Sequence, residues 1–561
     1  MRPAMFVRRT VAVAVSLVLV GLFGPTGPAQ AAGYALIQGS GSSWAANAVN
    51  QWVADVAAQD LKVVYTANGA AQGRKDYANV RTEFGITDSP YRGKDPTTGA
   101  TDSSLGRSFA YLPVVSGGTS FPYHLEVNGK MHRSLRLSGE TIAKIFTNQI
   151  TNWNDPAVTR DNNGKQLPSI PIIPVVRADG AGVTNQFTTW MSDQFPTLWR
   201  GCNGGTNAPT DYFPLNCGKS SGPQKAQTGS DGVMNYIKSG GANGSIAMEE
   251  YSYPLLANYP VARMLNKAGF YVLPTQYNVA VALTKAKINT DKGSPDYLTQ
   301  DLDNVYVNAD RRTYPLSSYV YAIIPTAKSD RRMTKAKSQS LADFLYHSIC
   351  QGQRGIGPIG YSPLPINLVQ AGFEQIGKLT TFGATMKDRN VSTCNNPTFI
   401  KGKPNQNYLA QIAPNPPACA RAGNPPCENN EDAVIANPTS DGKAPAASGP
   451  KAPSGSGGSG GSGGPKANGG PKANGAPPAG GGPSAAAPSA GSAPPNDLGV
   501  VTSDTAVAAG DVAVVPTTLS SDARSGPGPL LTALVVALFV GVVAAPAAVV
   551  TLAGRSTRGR R

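Results

Sequence analysis

Histidine is scarce in this chain, and charged residues are few. The 561 residues include three histidines, His124, His132 and His347, and charged residues make up 15% of the chain. None of the three histidines lies in an H-E-x-x-H motif, a nucleophile elbow or a metal-binding spacing. The paired carboxylates of Glu249 and Glu250 are more typical of a solvated helix or turn face than of a glycosidase dyad. The sequence therefore predicts a protein that is not an enzyme and has no cofactor and no metal site.

Cysteine motifs for metal binding or redox chemistry are also missing. The chain has six cysteines and no C-x-x-C motif. In an exported chain an even number of cysteines favours disulfides, and six cysteines allow fifteen pairings. Pairing of neighbours along the chain predicts the bonds Cys202–Cys217, Cys350–Cys394 and Cys419–Cys427.

The N-terminal residues have the pattern of an export signal. Arg8 and Arg9 precede an apolar run from Val11 to Phe23, and residues 29–31 read Ala-Gln-Ala. This pattern predicts that residues 1–31 are a signal peptide that is removed. No cysteine stands at the cleavage site, which argues against a lipid anchor.

The C-terminal residues have the pattern of a membrane anchor. Residues 530–553 contain no charged residue and are long enough to cross a bilayer. The arginines of residues 554–561 predict a cytoplasmic tail, because positive charge favours the cytoplasmic side of a membrane. We therefore expect a single-pass protein of the cell membrane with its folded part outside the cell.

The segment before this anchor has a biased composition. Ser/Gly repeats are followed by two copies of Gly-Pro-Lys-Ala-Asn, at residues 464–468 and 470–474. Such sequence cannot bury enough apolar surface to fold. Residues 401–529 are therefore predicted to be a disordered Pro/Gly/Ser-rich linker. It is either a tether that reaches into a cell wall or a spacer with no particular length requirement.

The net charge bears on the partners that the protein binds. The formal net charge of the chain is +15, and a strongly positive charge is typical of proteins that bind nucleic acid. Export argues against such a partner, and a basic surface outside the cell favours small anions or an anionic wall polymer. No nucleic acid is expected.

Strand and helix patterns alternate between about residue 34 and residue 400. This alternation favours an α/β architecture with largely parallel sheets. Small residues lead from a predicted strand into a predicted helix at three turns, which are Gly39–Ser43, Gly69–Gly73 and Gly180–Val183. The first N–H groups of a helix lack partners within the helix, and the helix dipole attracts negative charge. Together with the guanidinium of Arg177, the three turns predict a site for a small oxyanion.

Seven stretches of the chain occur in the order found in a known family. They are Gly39-Ser40-Gly41-Ser42-Ser43-Trp44, Phe84-Gly85-Ile86-Thr87-Asp88-Ser89-Pro90, Ile142-Ala143-Lys144-Ile145-Phe146 with residues 150–156, Arg177-Ala178-Asp179-Gly180-Ala181-Gly182, Asp231-Gly232-Val233, Gly244-Ser245-Ile246 with Glu250-Tyr251, and Gly360-Tyr361-Ser362-Pro363-Leu364-Pro365. Over residues 35–375 the chain resembles the phosphate-binding protein of the bacterial phosphate ABC transporter. The resemblance implies a type II periplasmic-binding-protein fold with two α/β lobes and two hinge crossovers.

This resemblance predicts the domain bounds and the partners. Residues 32–114 and 273–400 are expected to form lobe 1, and residues 115–272 are expected to form lobe 2. The ligand is expected to be phosphate or a related oxyanion that binds in the hinge cleft. An ABC permease is the implied protein partner. The alternative is a surface sensor, scavenger or adhesin that reuses the binding fold without a transporter.

The resemblance also carries over to individual residues. Ser43 and Trp44 stand where the family has a hydroxyl and a backbone N–H donor, and Asp88 stands where it has a buried acceptor carboxylate. A protonated phosphate donates to such a carboxylate, whereas sulfate would place two unpaired anions together. Arg177 stands at the family's guanidinium, with Asp179 placed to orient it. The other readings are a turn-capping role for Asp88 and a surface ion pair for Arg177.

Three positions depart from the family pattern. Ala70, Ala181 and Val183 replace residues with hydroxyl side chains. The backbone N–H groups of Ala70, Gly182 and Val183 remain as donors. Each lost charge-assisted hydrogen bond weakens binding by roughly 5- to 150-fold, so the expected ligand includes oxyanions other than phosphate.

Overall fold

The computed structural model of the protein describes residues 33–94, 99, 101–387 and 390–427. The predicted signal peptide, membrane span and cytoplasmic tail lie outside these residues, as does most of the predicted linker. Within the described ranges, no helix is both long and apolar enough to cross a membrane.

The first sheet is built around two long apolar strands. It has six strands, in the spatial order Glu249–Glu250, Phe109–Ser120, Ser317–Pro325, Phe84–Thr87, Ile37–Gly41 and Val63–Thr66. The last three strands are parallel to one another. The other three pairings are antiparallel. The prediction of parallel strands is therefore confirmed only where strands lead into helices. The two long strands run antiparallel to each other.

The second sheet is smaller. Its four strands lie in the order Lys225–Gln227, Ile173–Arg177, Ser245–Ala247 and Tyr123–His124. The chain leaves the first sheet after Ser120 and enters the second sheet at Tyr123, and it returns between Ala247 and Glu249. A three-stranded sheet, in the order Arg136–Leu137, Arg263–Leu265 and Tyr271–Val272, accompanies it. Short two-stranded pairs join Gly93–Lys94 with Thr101–Asp102, Glu126–Val127 with Lys130–Met131, and Lys287–Ile288 with Gln300–Asp301.

The helices follow the strands as the alternating pattern predicts. Their bounds are Ala46–Ala57, Ala70–Ala78, Gly139–Phe146, Pro156–Asp161, Gly182–Gln194, Pro196–Cys202, Gly229–Lys238, Ser252–Leu256, Gln276–Leu283, Asp303–Tyr306, Lys335–Ile349, Ile366–Ile376 and Tyr408–Ile412. Ser138 caps the third of these helices by accepting a hydrogen bond from the Thr141 N–H.

We call the six-stranded sheet with its helices the first lobe and the four-stranded sheet with its helices the second lobe. Helix Ala70–Ala78 packs on strands Phe84–Thr87 and Ile37–Gly41 of the first lobe. In the second lobe, Val175 packs with Val233, Ile237 and Ala247. The residue bounds that the sequence predicts for the lobes stay a prediction.

The ordered chain continues past residue 400, where the sequence analysis begins the linker. Helix Tyr408–Ile412 packs on helix Gln276–Leu283 through Leu409 and Ala413. The Arg312 guanidinium donates to the carbonyl oxygens of Ala410 and Ala413. The linker start at 401 is therefore too early, because this proline-rich stretch has enough apolar and hydrogen-bonding contacts to fold.

Three disulfides close loops in the described chain. They are Cys202–Cys217, Cys350–Cys394 and Cys419–Cys427, the pairs that the sequence analysis predicts. The described residues contain no free cysteine.

Candidate anion-binding site

Two of the small-residue turns meet where the lobes face each other. Gly69 precedes helix Ala70–Ala78 with a φ of 95°, and a Cβ atom on it would lie 2.8 Å from both Asp179 Oδ2 and the Gly180 carbonyl oxygen. The Ala71 N–H donates to the same Gly180 oxygen at 3.2 Å. The turn requires glycine because both its φ value and the close approach exclude a side chain.

The first predicted turn is displaced in the structure. Gly39 to Gly41 form the end of a strand rather than a turn, and the helix starts later, at Ala46. Gly41 has a φ of 138°, and a Cβ atom there would lie 2.0 Å from the Ile86 carbonyl oxygen. The glycines thus allow neighbouring strands to lie close together. The turn runs from Ser43 to Ala46, and the Ala46 N–H donates to the Ser43 carbonyl oxygen at 3.2 Å.

Asp88 lies against the start of helix Gly182–Gln194. A Cβ atom on Gly182 would lie 1.7 Å from Asp88 Oδ2, so this carboxyl group packs directly on the Gly182 backbone. The Gln186 side-chain amide donates to the Asp88 carbonyl oxygen at 2.7 Å. Asp88 follows a strand of the first lobe, whereas the helix belongs to the second. The carboxyl group therefore lies at an amino-terminal helix end contributed by the opposite lobe.

The carboxyl group of Asp88 is buried and has an unusual pKa. The residue is 1% exposed, and neither of its oxygens has a hydrogen-bond partner among the described residues. Burial raises the pKa of Asp88 to about 7, although the nearby Ser42 hydroxyl and the Arg74 and Arg177 guanidinium groups act to lower it. Ser42 is close enough for this effect but does not form a well-aligned hydrogen bond. Asp88 caps no turn, so it remains available to a ligand.

Arg177 is held in place by Asp179. Its Nε donates to Asp179 Oδ1 at 2.8 Å, and its Nη2 donates to Asp179 Oδ2. Asp179 Oδ1 also accepts the Gly229 N–H at 2.9 Å. Burial tends to lower the pKa of Arg177, but Asp179 outweighs it and the pKa is raised. Arg177 is 3% exposed, so the pair is not a surface ion pair.

Ser43 lies at the junction of the lobes. Its hydroxyl lies 2.9 Å from the Ser230 hydroxyl, and its carbonyl oxygen accepts a hydrogen bond from the Tyr253 hydroxyl at 2.6 Å. The Ser230 hydroxyl also accepts from Arg177 Nη1 at 3.3 Å. Ser230 thereby connects Ser43 to the guanidinium group.

The sequence analysis missed Ser230. It singles out the neighbouring Asp231-Gly232-Val233 motif, but Asp231 is exposed to solvent. Ser230 stands in the first turn of helix Gly229–Lys238 and is 1% exposed. Its place directly after the turn glycine Gly229 is the signal that could have identified it.

Trp44 supports the site by packing rather than through its indole N–H. Its ring meets the edge of the Tyr361 ring at 5.7 Å between centroids, and its carbonyl oxygen accepts the Tyr361 hydroxyl. A Cβ atom on Gly117 would lie 2.6 Å from the indole ring. The Trp44 indole ring is thus accommodated by a glycine of strand Phe109–Ser120.

The three residues that replace hydroxyl side chains all line the same region. Ala70, Ala181 and Val183 are at most 1% exposed. The Ala181 N–H donates to the Asp211 carbonyl oxygen at 2.9 Å. Gly182 and Val183 begin their helix, so their N–H groups lack partners within it.

The paired carboxylates of Glu249 and Glu250 are buried, which corrects the expectation of a solvated face. Both residues are 0% exposed, and they form the edge strand that pairs with Thr119 and Ser120. Burial raises the pKa of Glu249 to about 7, and Arg177 opposes this rise. Glu249 therefore contributes to the electrostatics around Arg177. No signal in the sequence indicated this.

The arrangement is suited to holding a small anion rather than a metal. Among the described residues no group of three or more His, Cys, Asp or Glu side chains could hold a metal ion. Two sets of contacts cross between the lobes instead. Ser43 contacts Ser230, which accepts a hydrogen bond from Arg177, and Asp88 packs on Gly182.

Comparison with known proteins places this fold and site in a class. Residues 26–350 match the family profile described as a PBP superfamily domain. The chain therefore belongs to the PBP superfamily, and its α/β fold is that of a type II binding-protein domain.

Similar proteins narrow this assignment. Phosphate-binding protein PstS 3 of Mycobacterium leprae is 31% identical over 349 residues, which cover 61% of this chain and 86% of that protein. Phosphate-binding protein PstS of Methanocaldococcus jannaschii is 28% identical over 356 residues, with coverages of 61% and 86%. A solved phosphate-binding protein from Stenotrophomonas maltophilia has 15% identity, a TM-score of 0.44, and coverages of 66% of this chain and 98% of that one. The chain belongs to the PstS family of phosphate-binding proteins. Like these relatives, and as the sequence analysis predicts, it is a binding protein and not an enzyme.

Proposed function

We propose that this protein captures phosphate, or a closely related oxyanion, outside the cell. The observation that carries this proposal is the contact set around Arg177. Asp179 fixes the guanidinium, Ser230 connects it to Ser43, and Asp88 supplies a buried acceptor from the facing side. The names of the PstS relatives support phosphate as the ligand.

The protonation of the ligand explains the preference for phosphate. Hydrogen phosphate carries an O–H group that donates to a carboxylate, whereas sulfate has none at neutral pH. The guanidinium and the helix amino ends favour either anion, so Asp88 is the group that discriminates between them. Since Ala70, Ala181 and Val183 offer no hydroxyl, backbone N–H groups and Ser230 supply the remaining donors.

The proposal includes delivery to a membrane partner. Ligand binds between the lobes, the lobes close, and the closed form docks on an ABC-type permease. The predicted anchor at residues 530–553 keeps the binding lobes at the cell surface, with the linker as tether.

Titration calorimetry on the full-length chain in mild detergent tests the proposal. We expect saturable binding of phosphate and much weaker binding of sulfate. Arg177→Ala should weaken phosphate binding roughly 30-fold or more, because it removes a buried charge partner. Arg107→Ala is a matched control, since Arg107 is also buried but pairs with Asp330 away from the site. No phosphate binding by the native chain, or equal affinity in Arg177→Ala, would overturn the proposal.

A further inference from the structure

A second buried guanidinium lies beside the proposed site. Arg74, on helix Ala70–Ala78, is 0% exposed. Its Nε donates to Asp102 at 2.8 Å, and its Nη2 lies 2.5 Å from Asp211 Oδ2. Burial alone would lower the pKa of Arg74, but the two carboxylates raise it. Arg74 therefore stays charged within the protein.

Arg74 also holds the turn that carries Asp88. Its Nη1 donates to the Thr87 hydroxyl at 2.9 Å and to the Ser89 hydroxyl at 3.2 Å. These residues flank Asp88 on both sides. The guanidinium thereby fixes the backbone that positions the acceptor carboxyl group.

Asp211 belongs to the opposite lobe and is firmly attached to it. It lies in the loop that the disulfide Cys202–Cys217 closes. Its carbonyl oxygen accepts the Ala181 N–H at 2.9 Å, just before helix Gly182–Gln194. The preceding residue, Thr210, exchanges two hydrogen bonds with Thr188 of that helix. Asp211 therefore moves with the second lobe.

The partners of Arg74 divide between the lobes. Among its side-chain partners in the described part of the chain, Asp102, Thr87 and Ser89 lie on its own lobe and Asp211 lies on the other. When the lobes separate, Arg74 keeps a carboxylate and two hydroxyl partners, so it is pre-organised for the fourth contact. Arg92, also on the first lobe, lies 3.6 Å from Asp211 Oδ1. Closure thus brings one carboxylate between two guanidinium groups.

We propose that Arg74 and Asp211 form a latch between the lobes, which stabilises the closed form and keeps Asp88 in position. Its role in retaining ligand rests on the proposed function. The attraction between the lobes offsets part of the ligand affinity that is lost because positions 70, 181 and 183 lack the hydroxyl side chains of the family pattern. It also slows ligand release, because opening the lobes must separate a buried ion pair.

The test uses Asp211→Asn in the full-length chain, with Asp330→Asn as the matched control. Asp330 forms a buried ion pair with Arg107 at 2.7 Å, and both residues lie on the first lobe. We expect Asp211→Asn to accelerate phosphate dissociation roughly 10- to 100-fold and to raise the dissociation constant. Asp330→Asn should lower thermal stability but leave both values near those of the native chain.

A distance measurement gives a readout that does not depend on ligand. Gln51 and Lys238 are exposed and lie on helices of the first and second lobe. Spin labels on cysteines introduced there should report a longer distance in ligand-free Asp211→Asn than in the native chain or in Asp330→Asn. Should Asp211→Asn fail to fold, Arg74→Lys keeps the charge but loses the multiple contacts, and its phosphate dissociation should still be faster than native.

The outcomes separate the two proposals. Failure of the native chain to bind phosphate would overturn the proposed function, while the label distances would still test the latch. Dissociation rates and distances in Asp211→Asn that match those of Asp330→Asn would overturn the latch.

Discussion

Replacing Asp88 with Asn should stabilise the ligand-free protein while impairing its function. Burial raises the pKa of Asp88 from 3.8 to about 7. One pKa unit corresponds to about 1.4 kcal/mol, so ionised Asp88 lowers the free energy of unfolding by roughly 4 kcal/mol. Asn has a similar shape and no charge to bury.

The pH dependence of this effect on stability follows from the pH range in which the folded and unfolded chains bind the Asp88 proton differently. Between pH 4 and pH 7, roughly, the folded protein keeps the Asp88 proton whereas the unfolded chain has lost it. The free energy of unfolding therefore falls as the pH rises through this range. Asp88→Asn should remove this loss of stability. Its free energy of unfolding should therefore exceed that of the native chain by roughly 1–2 kcal/mol at pH 5 and by roughly 4 kcal/mol at pH 8.

Urea unfolding at pH 5 and pH 8, in buffers without phosphate, measures the gain. Asp76→Asn is the control, because Asp76 is also buried but accepts hydrogen bonds from Ser40, Asn68 and Gln72. This control should destabilise the protein. The reasoning is refuted if Asp88→Asn destabilises the protein as well, or if its gain is the same at both pH values.

Three further predictions concern selectivity, packing and disulfides. Asp88→Asn should bind phosphate more weakly and discriminate less against sulfate in competition titrations, and unchanged discrimination would contradict the role of the carboxylate. Gly182→Ala should abolish phosphate binding, since its Cβ atom would overlap Asp88. The control Gly201→Ala should bind phosphate as the native chain does, because a Cβ atom at Gly201 lies in open space. Binding by both variants would contradict the close packing of Asp88 on Gly182. Replacing Cys350 and Cys394 with Ser should lower the free energy of unfolding by roughly 4 kcal/mol, because this disulfide closes a loop of 44 residues. Replacing Cys419 and Cys427 with Ser should lower it by roughly 2–3 kcal/mol, because that loop has 8 residues. Equal losses in urea unfolding would contradict this entropic argument.

The alternation of strands and helices could be read from the sequence because each element has local signals. Ser138 as a helix cap and Gly69 as a turn residue act through their own backbone and nearest neighbours. The antiparallel pairing of Phe109–Ser120 with Ser317–Pro325 joins residues about 200 positions apart. No local pattern indicates such a pairing.

The site was predictable only where a residue type or a family motif indicates the chemistry. Arg177 was singled out as a fixed set of donors. Asp88 was identified through the family resemblance, since by itself it suggests a turn cap. The structure brings both to the junction of the lobes. Ser230, Glu249 and Arg74 were missed because their importance comes from contacts with residues far along the chain. Serine, glutamate and arginine are usually surface residues, so burial of these three could not be expected from composition.

The linker prediction was wrong at one end for a similar reason. Residues 401–407 are polar and residues 414–417 are proline-rich, yet between them Leu409 and Ala413 bury their side chains against helix Gln276–Leu283. The disulfide Cys419–Cys427 lies beyond them. A few apolar residues and a closed loop suffice to order this segment when a matching surface is available.

The location of the bound anion tests the central claim most directly. A crystal of the protein grown with arsenate, a phosphate analogue with an anomalous signal, would locate the ligand directly. We predict a single arsenic peak within about 4 Å of the Arg177 guanidinium, an Asp88 carboxyl oxygen and the Ser43 backbone or hydroxyl. A peak elsewhere, or none at saturating arsenate, would contradict the claim that these residues bind the ligand.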